Sequence, residues 1–221
     1  YLKPQRSDVE QEVVQLKATL KLSTPELEEA QAAWEAEKGS NLVAWSLLDP
    51  VTYFSLADTD LKKLEDGSLL AGGPTPSRDT YLVTAETQAQ NITALRLETL
   101  THPSLPHGGS SRSHSGEFHL NGFEVSAEPL RASDPPRPIR FDSAAAEYEK
   151  GGGCGEFDVR RTLDGASSTG WSIAGDQDKL RVDRQAIFLP ETPIGFAGGT
   201  RLTFRIRHEG KNAQQIIGRF R

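Results

Sequence analysis

The chain has 221 residues, 36% of them hydrophobic and 25% charged, and carries a net charge of −6. No apolar run approaches the ~18 residues of a membrane-spanning helix, which excludes helical membrane insertion, and an acidic balance argues against nucleic acid, whose phosphates need clustered Lys and Arg. The single cysteine, Cys154, allows no intrachain disulfide and no CxxC knuckle; the lack of methionine and a start at Tyr1 suggest a piece of a longer protein with any targeting signal upstream.

Residues 8–38 carry a helical pattern in which Val13, Leu16 and Leu20 recur at helical spacing. Ser23-Thr24-Pro25-Glu26 then supplies a cap, a first-turn proline and a capping acid for a second helix over Leu27 to Lys38, closed by Gly39. The expectation is a helical hairpin over 1–41, with Trp34 on its inner face as a packing anchor. From Leu42 onward the pattern changes to short β-rich runs between turn clusters: Val43 to Leu48, Tyr53 to Leu56, Ser68 to Ala71, Thr80 to Glu86, Ile92 to Leu97, Phe118 to Val125, the region of Phe188, and Leu202 to His208. Asp66-Gly67, Gly72-Gly73-Pro74 and Gly198-Gly199 punctuate them. The run Ser143 to Lys150 is the one helical signal after residue 40. Such spacing predicts a mainly β domain over 42–221, a jelly-roll or galactose-binding-like β-sandwich.

Arg201, Arg205 and Arg207 alternate with Leu202, Phe204 and Ile206, which places the cations, with Lys211 beyond them, on the wet face of a strand. Two long polar stretches, His102 to Ser115 and Ala132 to Arg137, interrupt the strands as loops. His102, His107, His114 and His119 fall close together, inviting a zinc or copper reading, but their spacing matches no ligand motif and Pro and Gly surround them, which favours a solvated loop. Asp58, Asp60, Glu65 and Asp66 read as a solvated hairpin surface. No phosphate-binding glycine loop, nucleophile elbow or paired-carboxylate pattern occurs, so the expectation is a chain that is not an enzyme.

Leu163-Asp164-Gly165-Ala166-Ser167-Ser168-Thr169-Gly170-Trp171 combines a tight Asp-Gly turn, small hydroxyl residues and a Trp. Oxygen ligands in such a bend suit calcium, with Asp164 and Thr169 as the side chains; a turn closed by Asp164 over a buried Trp171 is the competing reading. The segment resembles the DG-x-x-x-T-x-W signature of discoidin-like, or galactose-binding-like, sandwiches, where that turn helps hold a structural calcium. A longer resemblance runs through Asp66-Gly67-Ser68-Leu69-Leu70, Asp79-Thr80-Tyr81-Leu82-Val83, Ile92 to Glu98, Pro103-Ser104-Leu105-Pro106, Gly116 to Val125, Thr169 to Ile173, Gly199 to Thr203 and Ile217 to Arg221. In that order these are similar to the central region of large planctomycete cytochrome-c-domain proteins. The resemblance implies an extracytoplasmic, periplasmic or secreted, multidomain parent with a role in polysaccharide use. This chain departs from the family pattern at Ser115-Gly116-Glu117 and at Gly122, where the family tends to carry a Glu. It has no CxxCH, so no haem attaches to this part.

A sugar-binding module needs an aromatic surface for C–H faces and polar groups for hydroxyls. Trp45, Tyr53, Tyr81 and Trp171 are the candidate aromatics, and His107, Arg112 and His114 the candidate polar contacts to a glycan or its sulfate or carboxylate groups. The expected function is noncatalytic binding of a polysaccharide or oligosaccharide; the alternative is a spacer that docks on neighbouring domains of a multidomain redox enzyme.

Overall fold

The structure, a computed structural model, describes residues 9, 13, 24–39, 44–131, 134–152 and 155–221. The chain divides into two compact units, Tyr1–Ser46 and Leu47–Arg221.

In the first unit, helix α1 spans Pro25–Gly39. Thr24 caps it: its hydroxyl accepts the Leu27 amide at 3.3 Å and its carbonyl accepts the Glu28 amide at 2.9 Å. Glu26 in the first turn has its carboxyl held below the usual range by its backbone hydrogen bond and by Thr24. Trp34 does not line an inner face; it is 60% exposed, because α1 has charged residues all round and no apolar stripe to bury. Val9 and Val13 are helical, and the rest of the expected first helix, with Leu16 and Leu20, lies outside the described residues.

The second unit is built of antiparallel strands: β1 (Pro50–Ser55), β2 (Asp60–Lys63), β3 (Leu69–Gly72), β4 (Asp79–Thr87), β5 (Leu95–Thr99), β6 (His119–Leu120), β7 (Gly122–Pro129), β8 (Arg137–Pro138), β9 (Phe141–Ala146), β10 (Trp171–Ser172), β11 (Arg184–Pro190), β12 (Thr200–His208) and β13 (Arg219–Phe220). One sheet has the order β1-β4-β12-β7-β8, a second the order β2-β3-β13-β5-β11-β9, and β10 pairs with β6. The two larger sheets share one core, as two ring pairs across it show: Phe123 of β7 stacks on Phe188 of β11 with centroids 3.9 Å apart, and Tyr81 of β4 on Phe220 of β13 at 5.4 Å. This is a β-sandwich. Strand alternation makes it: Leu202 and Ile206 of β12 are buried while Arg201 and Arg205, each one residue before them, are exposed.

Two expectations fail here. Ser143 to Lys150 does not form a helix; Phe141–Ala146 is edge strand β9, paired with β11, where Ala144 is buried in the core opposite Phe188 and tertiary packing overrides alanine's helical preference. Ala44 to Asp49 has no strand pairing; the strand starts at Pro50.

Gly170 adopts φ 149°, and a Cβ on it would fall on the Leu120 carbonyl oxygen, so β10 can approach β6 only with glycine there. Gly170→Ala is expected to destabilise by about 3 kcal/mol, whereas Gly165→Ala, at φ 77° with open space around it, should lose only about 1 kcal/mol. Urea titrations of the two variants distinguish these sizes; equal losses would mean that Gly170 is not the point of contact.

Candidate binding surfaces

The ends of β1 and β12 and the starts of β4 and β7 lie together, and the loops beside them hold a buried polar network. Arg112, 6% exposed, lies at its centre. Its Nη1 donates to the Thr59 hydroxyl at 3.0 Å, and its Nη2 faces the carbonyls of Gly72, Gly73 and Pro74 at 3.0, 2.7 and 2.9 Å. Thr59 in turn donates to the Asp79 carboxylate at 2.5 Å, which also accepts from the Ser55 hydroxyl and the Thr80 amide. A buried guanidinium and a buried carboxylate are thus joined through one hydroxyl. Arg112 is therefore the pin that ties the His102–Ser115 loop to the two turns facing it.

Tyr81 and Trp171 are equally unavailable. Both are 0% exposed: Tyr81 donates its hydroxyl to the Ile217 carbonyl at 3.0 Å, and Trp171 donates its indole N–H to the Tyr148 carbonyl at 2.9 Å. Burial, reinforced by Asp79, pushes the Tyr81 phenol up. These three residues are structural, and a glycan cannot reach them. Among the other candidates, His107 and His114 are exposed on the far side of the same loop, where the His107 ring lies 3.1 Å from the His114 carbonyl; Tyr53 is half-buried on β1; and Trp45, 39% exposed, lies in the first unit.

Asp164 and Thr169 do come together. The Asp164 carboxylate accepts the Thr169 hydroxyl at 2.9 Å and the Ala166 amide at 2.8 Å, and the loop is tied inward by Asn121, whose amide donates to the carbonyls of Ser167 and Thr169 at 2.7 and 3.1 Å. Trp171, which follows the turn, is buried, and the Asp164 carboxylate is bonded within the turn. A Cβ at Gly122 would strike the Arg207 guanidinium, the movable end of that side chain.

The histidines separate. His102, His107 and His114 are not buried, whereas His119 is 6% exposed and meets the edge of Phe157 at 5.6 Å. Burial, with Lys150 adding and Glu156 opposing, lowers its basicity. His208, which the sequence reading treats only as the end of a strand, is 2% exposed with neither ring nitrogen hydrogen-bonded; it lies edge-on to Tyr81 at 5.2 Å. Among the described residues no group of three or more His, Cys, Asp or Glu side chains converges on a metal position.

The second surface is the outer face of the five-stranded sheet, which the sequence reading did not single out. Cross-strand register aligns its outward residues in rows. One row is Phe54, Leu82, Arg205 and Glu124; the next is Thr52, Thr84, Thr203 and Ser126; the third is Glu86, Arg201 and Glu128. Phe54 is 51% exposed. Arg201 lies 2.9 Å from Glu86 and 3.0 Å from Glu128, which together raise its basicity further. Thr52 and Thr84 share a hydrogen bond between their hydroxyls, while those of Thr203 and Ser126 bond to no described residue. Comparisons with protein-family models, with curated proteins and with solved structures found no match to this chain.

Proposed function

We propose that the second unit is a noncatalytic carbohydrate-binding module that takes a polysaccharide on the open face of its five-stranded sheet. The observation that carries this reading is the half-exposed Phe54 ring standing beside the hydroxyl row of Thr52, Thr84, Thr203 and Ser126. An aromatic face covers the C–H side of a sugar ring, and neighbouring hydroxyl, Arg and Glu groups bond to its hydroxyls. In this reading the sandwich is a jelly-roll, galactose-binding-like one in a larger extracytoplasmic protein similar to the planctomycete cytochrome-c-domain proteins. A structural calcium, if bound, would lie against the Asp164 and Thr169 oxygens.

A second reading, an interdomain docking spacer without glycan affinity, is favoured by a different observation: Leu47, Val51, Phe54 and Leu56 are all more than half exposed along the edge strand β1 and its flanks. Affinity electrophoresis of the chain through gels containing neutral or sulfated polysaccharides, with calcium and with chelator, separates the two. Retardation is the expected result. A folded chain that migrates freely through every gel makes the spacer reading the correct one, and retardation abolished by chelator assigns calcium to the binding state.

A further inference from the structure

Building on the carbohydrate reading, we propose that the ligand is an uncharged, linear polysaccharide that crosses the strands along the row Thr52, Thr84, Thr203 and Ser126. The row runs over four neighbouring strands, β1, β4, β12 and β7, a length of about 14 Å at the usual strand spacing. Its side chains are short. The rows on either side carry long ones, Arg205 and Glu124 on one flank and Glu86, Arg201 and Glu128 on the other. The hydroxyls are therefore the floor of a shallow trough that runs across the sheet, open to an extended chain of sugar rings. Phe54 stands at the β1 end of one flank, where it can cover a ring.

The walls decide the charge of the ligand. Arg201 is held between two carboxylates, and Arg207 lies 2.9 Å from Glu124 and 3.4 Å from Glu209. Arg205 faces the same Glu124 at 3.8 Å. Each guanidinium on this face already has a carboxylate partner from an adjoining strand or turn, so a sulfate or uronate entering the trough meets Glu86, Glu124 and Glu128 without an unpaired cation to receive it. A neutral sugar has no such conflict and finds free hydroxyls on Thr203 and Ser126.

The test is affinity electrophoresis of the full chain through hydroxyethyl cellulose and galactomannan as neutral probes and dextran sulfate and alginate as anionic ones. Phe54→Ala and the hydroxyl-deleting pair Thr203→Val and Ser126→Ala are run beside it, each checked for an unchanged thermal midpoint. Expected is retardation by at least one neutral polymer, weakened about tenfold by Phe54→Ala and several-fold by each hydroxyl deletion, with no retardation by the anionic ones. Retardation by dextran sulfate or alginate alone, or neutral binding that none of the three variants changes, overturns this inference while leaving carbohydrate binding in place. Free migration of the folded chain in all four gels overturns both.

Discussion

Replacing Arg112 with alanine is expected to destabilise the sandwich by about 4 kcal/mol, because it removes the guanidinium joined through Thr59 to the buried Asp79 carboxylate and takes one donor group from the Gly72, Gly73 and Pro74 carbonyls at once. In the native fold Asp79 receives the positive charge through Thr59, and the Gly72, Gly73 and Pro74 carbonyls share the guanidinium. For a unit of this length the loss corresponds to a fall in Tm on the order of 10 °C. Arg112→Lys should recover less than half of it: one ammonium on a flexible stem cannot bond Thr59 and the three carbonyls in the planar arrangement that guanidinium provides. Arg112→Ala combined with Asp79→Asn should lose less than the two single changes added together, since the second change removes the charge that the first leaves unpaired. Urea unfolding followed by the fluorescence of buried Trp171 measures the parent, Arg112→Ala, Arg112→Lys, Asp79→Asn and the double variant. Strict additivity in the double variant, or a loss under about 1 kcal/mol in Arg112→Ala, would show that the network does not act as a unit.

The β-strands with one wet and one buried face were legible in the sequence. Arg201 to Arg207 alternates strictly with Leu202 to Ile206, and β12 forms where that pattern runs. Thr24 and Pro25 likewise announce the start of α1, since capping is a local interaction. Strands β9 and β13 were not legible: one is rich in alanine, whose small side chain gives no period, and the other is only two residues long, held in place by Leu69 and Thr99 from strands distant in sequence. What locality cannot supply is the partner across the sheet.

The candidate surfaces show the same division more sharply. Arg112 sits among serines, histidines and glycines, a composition that reads as an exposed loop, and its acceptors come from Thr59 and the turn at Gly72 to Pro74. No local pattern encodes that meeting. Asp164 and Thr169 meet within one turn because only five residues separate them, a proximity the sequence itself carries. The trough on the open sheet consists of one residue from each of four strands, so it exists only once register is fixed. Alternation says that Thr84 and Thr203 face the same side of their own strands; pairing alone makes them neighbours.

Stability is expected to fall as the pH drops from 6.5 towards 4, with His208 as a principal cause. The fold holds this imidazole in a fully buried position where neither nitrogen has a hydrogen-bond partner, and burial, with a smaller contribution from the charge on His119, lowers its pKa to about 3 from an ordinary value of 6.5. Above 6.5 the ring is neutral in the folded and unfolded chains, so it adds no pH dependence. Below 6.5 the unfolded chain binds a proton that the folded one refuses, and the fold loses about 1.4 kcal/mol for each pH unit from this residue. His119, also lowered by burial, acts in the same direction. Asp66 separates from both: Ser68 and Arg219 hold its carboxyl down to about 2, so its contribution is lost only below its ordinary value of 3.8. The window between pH 6.5 and 4.5 therefore isolates the histidines. His208→Leu removes a buried polar ring that bonds to nothing and keeps an apolar contact for Tyr81. It should be at least as stable as the parent at pH 7, and its stability should decline much less steeply over that window. Parallel stability curves for parent and variant would place the acid sensitivity elsewhere. A variant that unfolds at pH 7 would mean that the imidazole, despite its unbonded nitrogens, fills a shape that leucine cannot.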